Sequence, residues 1–464
     1  MNGQPSLALR IIVLLTALLC AIFLWRALAT VGLFVPLDPN EGWNAYHTAA
    51  AMSGKALYPG AGSFMINNYP PLSFYIVGEL GRAVGDNIIA GRFLSLLGFV
   101  ATAMGIFVAA RRMDCNRLEA AFAALLFAAC LLFASDYVGM DDPQLLGHAL
   151  GMAGFVLLLK APRDLRSIIA SAALFTLAGF VKHNLVVQPL AMAIWLFIYD
   201  RRSAMRFVLS GAVLLLAGLI AFRLAYGIEI FTALNSARVY SFGNLVSNLS
   251  SWLTWGLIPL VGVALLLWRH RDDKYVVLCA LYAFIAIVIG AIFLGGDGVD
   301  VNAMFDADIA LALGAGLAIN RLPAKNVITI AYAVPLVCAL WLAADGEWLS
   351  SKFWLHPMVE EADAAHRDIV FLKAHRGPAL CEMLSPCYWA GKEAQVDVFN
   401  VGQQFLTGAR SDEGLTQLIG RRYFGVLQLE SLEPFSLTPR IRETIASNYR
   451  VDHTNDDGVF LLPR

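Results

Sequence analysis

Nine carboxylates fall at the ends of long apolar runs, in three groups: Asp38 with Glu41, then Asp136, Asp141 and Asp142, then Asp297, Asp300, Asp306 and Asp308. Carboxylates that converge at one surface serve as a general base, as metal ligands, or as both. The first group opens Leu37-Asp-Pro-Asn-Glu-Gly-Trp-Asn-Ala-Tyr-His47. The same spacing makes a capping box, with Asp38 as N-cap, Pro39 as the first helical residue and Glu41 three positions in. That helix should end near Ser53, stop at Gly54, and lie along the membrane interface with Trp43 and Tyr46. Capping does not explain the matching acidic groups elsewhere. Asp38, Glu41, Asp141 and Asp142 are therefore the candidate catalytic residues, and Glu41 and Asp142 the candidate metal ligands.

Cations stand beside these acids. Arg92 lies near the start of an apolar run, where a helix N-terminus disfavours positive charge. Lys182-His183-Asn184 forms the tip of a tight apolar hairpin. Cations at a lipid boundary need a partner, either a phosphate or a structural ion pair. Asn67-Asn-Tyr-Pro-Pro-Leu-Ser-Phe-Tyr75 is stiffened by two prolines and offers Tyr69. Gly295-Gly-Asp-Gly-Val-Asp-Val-Asn-Ala-Met-Phe-Asp306 lacks the ligand spacing and terminal glutamate of an EF-hand. It reads as a glycine-rich loop that shapes a pocket, with Asn302 inside it. Tyr69, Arg92, Lys182, His183 and Asn302 are the candidate substrate- and lipid-phosphate-binding residues. His148, one turn into an apolar run, reads as a core histidine.

The elements that must hold these groups are membrane helices. The chain has 464 residues, 58% hydrophobic and only 15% charged, against about 25% charged in an average soluble domain. A net charge of −1 leaves no basic field for nucleic acid. Runs of roughly 17–25 apolar residues mark transmembrane helices. Eleven segments are candidates: 11–33, 89–110, 118–135, 143–160, 167–181, 185–200, 206–225, 250–268, 274–294, 304–320 and 325–343, of which 167–181 and 185–200 are short enough to be re-entrant instead. Alternate loops carry 14 and 5 lysines and arginines. The positive-inside rule then puts the N-terminus inside and the acidic groups outside.

Two regions are too polar for lipid. The exterior loop 34–88 joins the transmembrane part, residues 1–343. Residues 344–464 form a small exterior α/β domain, with helical runs Met358–His375, Glu413–Arg421 and Pro439–Ser447 and strand-like runs Pro378–Glu382, Tyr423–Leu429 and Val459–Leu462. Two of the seven cysteines, Cys381 and Cys387, fall there. An oxidising exterior favours a local disulfide between them that pins a strand end.

The order of first span, acidic exterior loop, Gly54-Lys-Ala-Leu-Tyr58, Tyr69-Pro-Pro and an arginine opening the second span resembles the GT-C superfamily of membrane glycosyltransferases. Its nearest flavour is similar to the 4-amino-arabinose lipid A transferases and the protein O-mannosyltransferase-like enzymes. The resemblance implies a polytopic α-helical fold and a polyprenyl-phosphate-linked sugar as donor. It also implies a lipid, glycan or protein acceptor and a site at the outer face of the bacterial cytoplasmic membrane. An essential acid in the first exterior loop matches Asp38 or Glu41, and a second acid in the next loop matches Asp141 or Asp142. The usual adjacent Asp-Glu pair is Asn40-Glu41 here. That departure leaves open which acid is the base and whether a divalent ion such as Mg or Mn takes part.

This reading needs no nucleotide-binding loop, and the sequence has none. A carboxylate would deprotonate the acceptor, while Lys182 and Arg92 would neutralise the phosphate leaving group. The rival classes are a lipid or solute transporter (a flippase, for example) and a non-catalytic membrane scaffold. A transporter predicts charges deep in several spans and broken helices at mid-depth. A scaffold predicts no cavity joining the first two exterior loops.

Overall fold

The computed structural model describes residues 6–134, 137–323, 325–343, 355–434 and 436–464. Helix α1 (Leu7–Thr30) is followed by α2 (Pro39–Ser53) and α3 (Leu72–Val84) in the connecting loop. Then come α4 (Asn87–Arg112), α5 (Arg117–Ala134), α6 (Gln144–Lys160), α7 (Leu165–Val181), α8 (Val187–Tyr199) and α9 (Arg201–Tyr226). The short α10 (Glu229–Leu234) precedes α11 (Phe242–His270), α12 (Lys274–Leu294), α13 (Phe305–Arg321) and α14 (Lys325–Ala343). Each of the eleven expected spans thus falls on a helix. Aspartates at the turns start several of them: Asp86, Asp164 and Asp200 accept hydrogen bonds from the amides of Ile89, Ser167 and Ser203, the usual satisfaction of a helix's orphan donors.

Among the described residues six segments are long and apolar enough to cross a membrane: α1, α4, α9, α11, α12 and the stretch Val301–Arg321 that contains α13. Helices α6, α7 and α8 are apolar but shorter, with 17, 17 and 13 residues. At about 1.5 Å per residue they measure roughly 20–26 Å, less than the ~30 Å of a hydrocarbon core. Helix α13 is buried from Phe305 to Ile319. Its small residues let neighbours approach closely: a side chain on Gly314 would strike Val263 of α11, and one on Gly316 would press on Ala123 of α5.

Beyond residue 354 the chain forms α15 (Leu355–Ala374), β1 (Ala379–Cys381), α16 (Leu384–Trp389), α17 (Val398–Leu406), α18 (Glu413–Gly420), β2 (Val426–Leu429), α19 (Pro439–Asn448), β3 (Tyr449–Asn455) and β4 (Gly458–Pro463). The sheet order is β1-β2-β4-β3, with β1 parallel to β2 and the other pairs antiparallel. Leu380, Leu427 and Leu461 meet in one core with Leu415 and Ile441. Cys381 and Cys387 form a disulfide that ties the end of β1 to α16, with Cα atoms 6.5 Å apart. The expected boundary at residues 343 and 344 abuts residues 344–354, which, like Asp136, lie outside the described residues.

Helix α2, expected to lie along the membrane interface, is largely enclosed by protein. Glu41, Gly42, Trp43, Asn44, Ala45, His47 and Thr48 are all buried. Gly42 lies so close to the backbone of Leu384 and Ser385 that a Cβ would overlap it. Helix α2 is therefore sandwiched between the bundle and α16. Ile66 of the same loop joins the core of the α/β unit, and the amide of Asp397 donates to Phe64 O at 2.9 Å.

Candidate active site

Helix α2 starts as its sequence dictates. Asp38 caps it, accepting from the Asn40 amide at 2.8 Å. Glu41, however, does more than complete a cap. Its Oε1 accepts from Arg92 Nε at 2.6 Å and from the Asp141 amide at 3.1 Å. Its Oε2 accepts from Arg92 Nη2 at 2.6 Å and from the Leu37 amide at 3.1 Å. The remaining Arg92 donors reach the carbonyls of Thr30, Leu33 and Val35 at 3.1, 2.7 and 2.5 Å. Both side chains are 0% exposed. This geometry corrects two expectations. Glu41 has no lone pair directed at an acceptor or a metal ion, and Arg92 has no donor left for a phosphate. Together they form a buried clamp that ties α4 to the end of α1 and the start of α2.

The second acidic loop is joined to the first. Besides the bond to Glu41, Asn44 Nδ2 donates to Asp141 O at 2.7 Å. Asp141 itself is buried against Gly91 of α4, and its Oδ2 has no hydrogen-bond partner. Burial, and then the charges of Glu41 and Asp142, push its pKa well above the carboxylate range. Asp141 is thus an enclosed group whose surroundings favour its neutral form. Asp142 accepts from Lys182 Nζ with both oxygens, at 2.9 and 3.0 Å, and is likewise no ready metal ligand. Among the described residues no three or more His, Cys, Asp or Glu side chains are grouped to hold an ion. As they stand, the two carboxylates expected to bind a metal, Glu41 and Asp142, are taken up by Arg92 and Lys182 and do not fit one.

Asp38 is the remaining carboxylate of the four, and it is only half-buried. Burial first, and then Asp142, Glu41 and Asp300, push it up to about 6 against the pull of the Asn40 amide. A carboxylate with that value is a competent base near neutral pH.

Next to Asn40 opens a cavity of about 440 Å³, within the range of ligand sites, roughly 300–1,000 Å³. Every lining segment is a helix end or a loop. Tyr69, Lys182, His183 and Asn302, four of the five expected binding residues, line it, and Arg92 does not. Lys182 Nζ sits 4.8 Å from the centre of the Tyr69 ring. Burial alone would discharge Lys182, but Asp142 and Tyr69 outweigh it and its pKa lies above the usual lysine value. Surrounding protein, Lys182 and Arg238 hold the His183 imidazole down to about 4, so it is neutral.

Sequence reasoning missed Arg238 as a site residue, counting it only as one loop cation. It lies between α10 and α11, lines the cavity and is half-buried. Its guanidinium stands over Phe399 at 5.5 Å and reaches Asn400 Oδ1 at 3.5 Å. Among the described residues no carboxylate lies within ion-pair range of it. Phe399 and Asn400 belong to α17, so the α/β unit closes one wall. That unit is pinned by Trp43 Nε1, which donates to Asp397 Oδ2 at 2.8 Å and Ile66 O at 3.1 Å. The signal available in sequence was a lone arginine in a loop on the acidic side of the molecule.

A family model described as "6-pyruvoyl-tetrahydropterin synthase related domain; membrane protein" matches residues 66–225. No curated protein matches the sequence. Among solved structures, ArnT from Cupriavidus metallidurans in the apo state is similar at a TM-score of 0.62 with 14% identity, covering 98% of both chains. The same protein bound to undecaprenyl phosphate gives 0.61 with 14% identity and 97% of both chains. An Archaeoglobus fulgidus oligosaccharyltransferase tethered to an acceptor peptide gives 0.47 with 11% identity, covering 93% of this chain and 72% of that one. Over nearly its whole length, then, this chain has the fold of ArnT.

Proposed function

We propose that the protein is a glycosyltransferase. It moves a sugar from a polyprenyl-phosphate donor to a lipid, glycan or protein acceptor at the outer face of the cytoplasmic membrane. The observation that carries this reading is the cavity: Lys182 shares it with Arg238, which has no ion-pair partner among the described residues, and Asp38 caps the helix from which Asn40 and Trp43 line it. A lipid-borne phosphate diester fits such cations at a bundle end. ArnT, which has the same fold, was solved with undecaprenyl phosphate. The 14-to-5 asymmetry of loop cations favours placing this end outside.

In the proposed reaction Asp38 removes the proton from an acceptor hydroxyl or amine. The freed electron pair bonds to the anomeric carbon as the bond from that carbon to the phosphate oxygen breaks. The polyprenyl phosphate leaves with that bond's electron pair, and Arg238 and Lys182 stabilise its new charge. Glu41, Arg92 and Asp142 position these groups without touching substrate. A transporter needs a route between helices at mid-depth; confinement of this cavity to loops and helix ends favours transfer instead. The test is a purified-protein assay with a panel of labelled polyprenyl-phosphate sugars and membrane extracts as acceptors. Labelled product and free polyprenyl phosphate in equal amounts are expected. Movement of intact donor across proteoliposomes with no cleavage would overturn the proposal.

A further inference from the structure

Asp397 does more than start α17. Its Oδ1 accepts from the Asn400 backbone N–H at 3.0 Å, the ordinary work of an N-cap. Its Oδ2 takes two further donors, Trp43 Nε1 at 2.8 Å and Asn400 Nδ2 at 2.7 Å. The carboxylate is only 3% exposed and stands behind the cavity wall. Trp43 and Asn400, its two side-chain partners, both line the cavity.

An asparagine side chain has one donating end and one accepting end. With Asn400 Nδ2 held by Asp397, Asn400 Oδ1 is turned the other way. There it accepts from Asn68 Nδ2 at 3.2 Å and from Arg238 Nη2 at 3.5 Å. Asn68 and Arg238 line the cavity as well. Reversing the amide would set donor against donor toward Arg238 and Asn68 and acceptor against acceptor toward Asp397, so the network fixes one orientation. The bond to Arg238 is long, and the Phe399 ring, 5.5 Å from the guanidinium, completes its seat. One turn along α17, Gln403 Oε1 accepts from the Val239 amide at 2.8 Å. Asn400 and Gln403, neighbours on one helix face, thus hold the arginine loop by its side chain and by its main chain.

A carboxylate placed directly on Arg238 would orient it but also cancel its charge. The interposed Asn400 amide passes on the orientation and leaves the charge for a ligand. We propose that Asp397 is a positioning residue for the phosphate clamp, acting through the Asn400 amide on Arg238. This rests on the reading of Arg238 as a phosphate-binding cation. It gives the α/β unit a part in donor recognition beyond closing a wall, since the carboxylate that sets the clamp belongs to that unit.

The experiment uses the full chain in lipid nanodiscs. Equilibrium binding of bare polyprenyl phosphate is measured, and turnover is measured separately. Asp397→Asn cannot accept from Trp43, from Asn400 Nδ2 and from the Asn400 backbone together. It should weaken binding about fivefold, the scale of one lost hydrogen bond. Arg238→Gln should weaken binding about tenfold, and adding Asp397→Asn to it should weaken binding no further, because the arginine being positioned is gone. Asn400→Ala removes the side-chain link, keeps the backbone N–H, and serves if Asp397→Asn does not fold. At saturating donor, turnover in Asp397→Asn should stay within about threefold of the unmodified protein, the pattern of a loss confined to binding. Losses that multiply in the double variant, or a fall in saturated turnover as large as the fall in binding, would mark a merely structural role and overturn the proposal. Undiminished binding in both Asp397→Asn and Asn400→Ala would also overturn it. If Arg238→Gln itself leaves binding unchanged, the phosphate reading falls and the positioning role with it. The expected binding pattern without turnover on any sugar conjugate would keep the positioning role and sink the transfer reading alone.

Discussion

Replacing Glu41 by Gln separates two roles that the sequence could not. If Glu41 were the base, Glu41→Gln would abolish turnover in a protein of unchanged stability. The structure makes it one half of a fully buried pair with two charge-assisted bonds of 2.6 Å to Arg92. Removing one partner leaves the other charge buried and uncompensated, a loss of about 3–5 kcal/mol. At about 2 °C per kcal/mol, the shallow end of the range for larger domains, the melting temperature should fall by roughly 6–10 °C. Arg92→Met should cost a similar amount, since it strands the carboxylate. The double variant removes both charges and should recover about 1–3 kcal/mol relative to the sum of the singles, the coupling expected of contacting residues. Thermal unfolding followed by tryptophan fluorescence in detergent reads all three. An unshifted melting temperature in Glu41→Gln together with lost turnover would refute the clamp and restore Glu41 as a catalytic candidate.

Asp38→Asn should lower turnover at least 100-fold, the usual scale of a lost general base. In the unmodified protein the rate should fall as pH drops through about 6, because the base form is lost there; a flat profile between pH 5 and 8 would argue against it. Arg238→Gln should raise the donor KM about tenfold with little change in melting temperature, whereas Lys182→Ala should raise the donor KM and also lower the melting temperature, because it strands buried Asp142. Adding Asp142→Asn to Lys182→Ala should restore stability but not donor affinity, and restored affinity would remove Lys182 from the phosphate site. Alkylation of the denatured, unreduced protein should label five of its seven cysteines; labelling of all seven would exclude the Cys381–Cys387 bond.

Local physics made the helices readable. Apolar length placed each expected span on a helix, and Asp38, Pro39 and Gly54 marked both ends of α2, whose closing Gly54 has φ of 72°. The α/β unit was less legible. Strand β3 escaped notice because Tyr449–Asn455 is an edge strand with mostly exposed polar residues, the pattern by which edges avoid further pairing. The six-residue α16 carries no helical period in its sequence. It is too short to form on its own propensity and gains its support from packing on α2.

The site was legible in its composition and illegible in its pairing. Glu41 and Arg92 are 51 residues apart, Asp142 and Lys182 40 apart, and Trp43 and Asp397 354 apart. No local pattern specifies such partners. The misassignments also have a common direction. Sequence reasoning ranks residues by intrinsic reactivity, so the most conspicuous charges, Glu41 and Arg92, ranked as machinery. Burial inverts that ranking: a charge deep in the protein persists only if it is paired, and pairing withdraws it from chemistry. Half-buried charges escape this constraint. Asp38 keeps access to solvent while its neighbours raise its pKa to about 6, and Arg238 keeps its charge uncancelled beside the cavity. The buried pairs are the frame that holds these two less conspicuous groups at one end of the bundle.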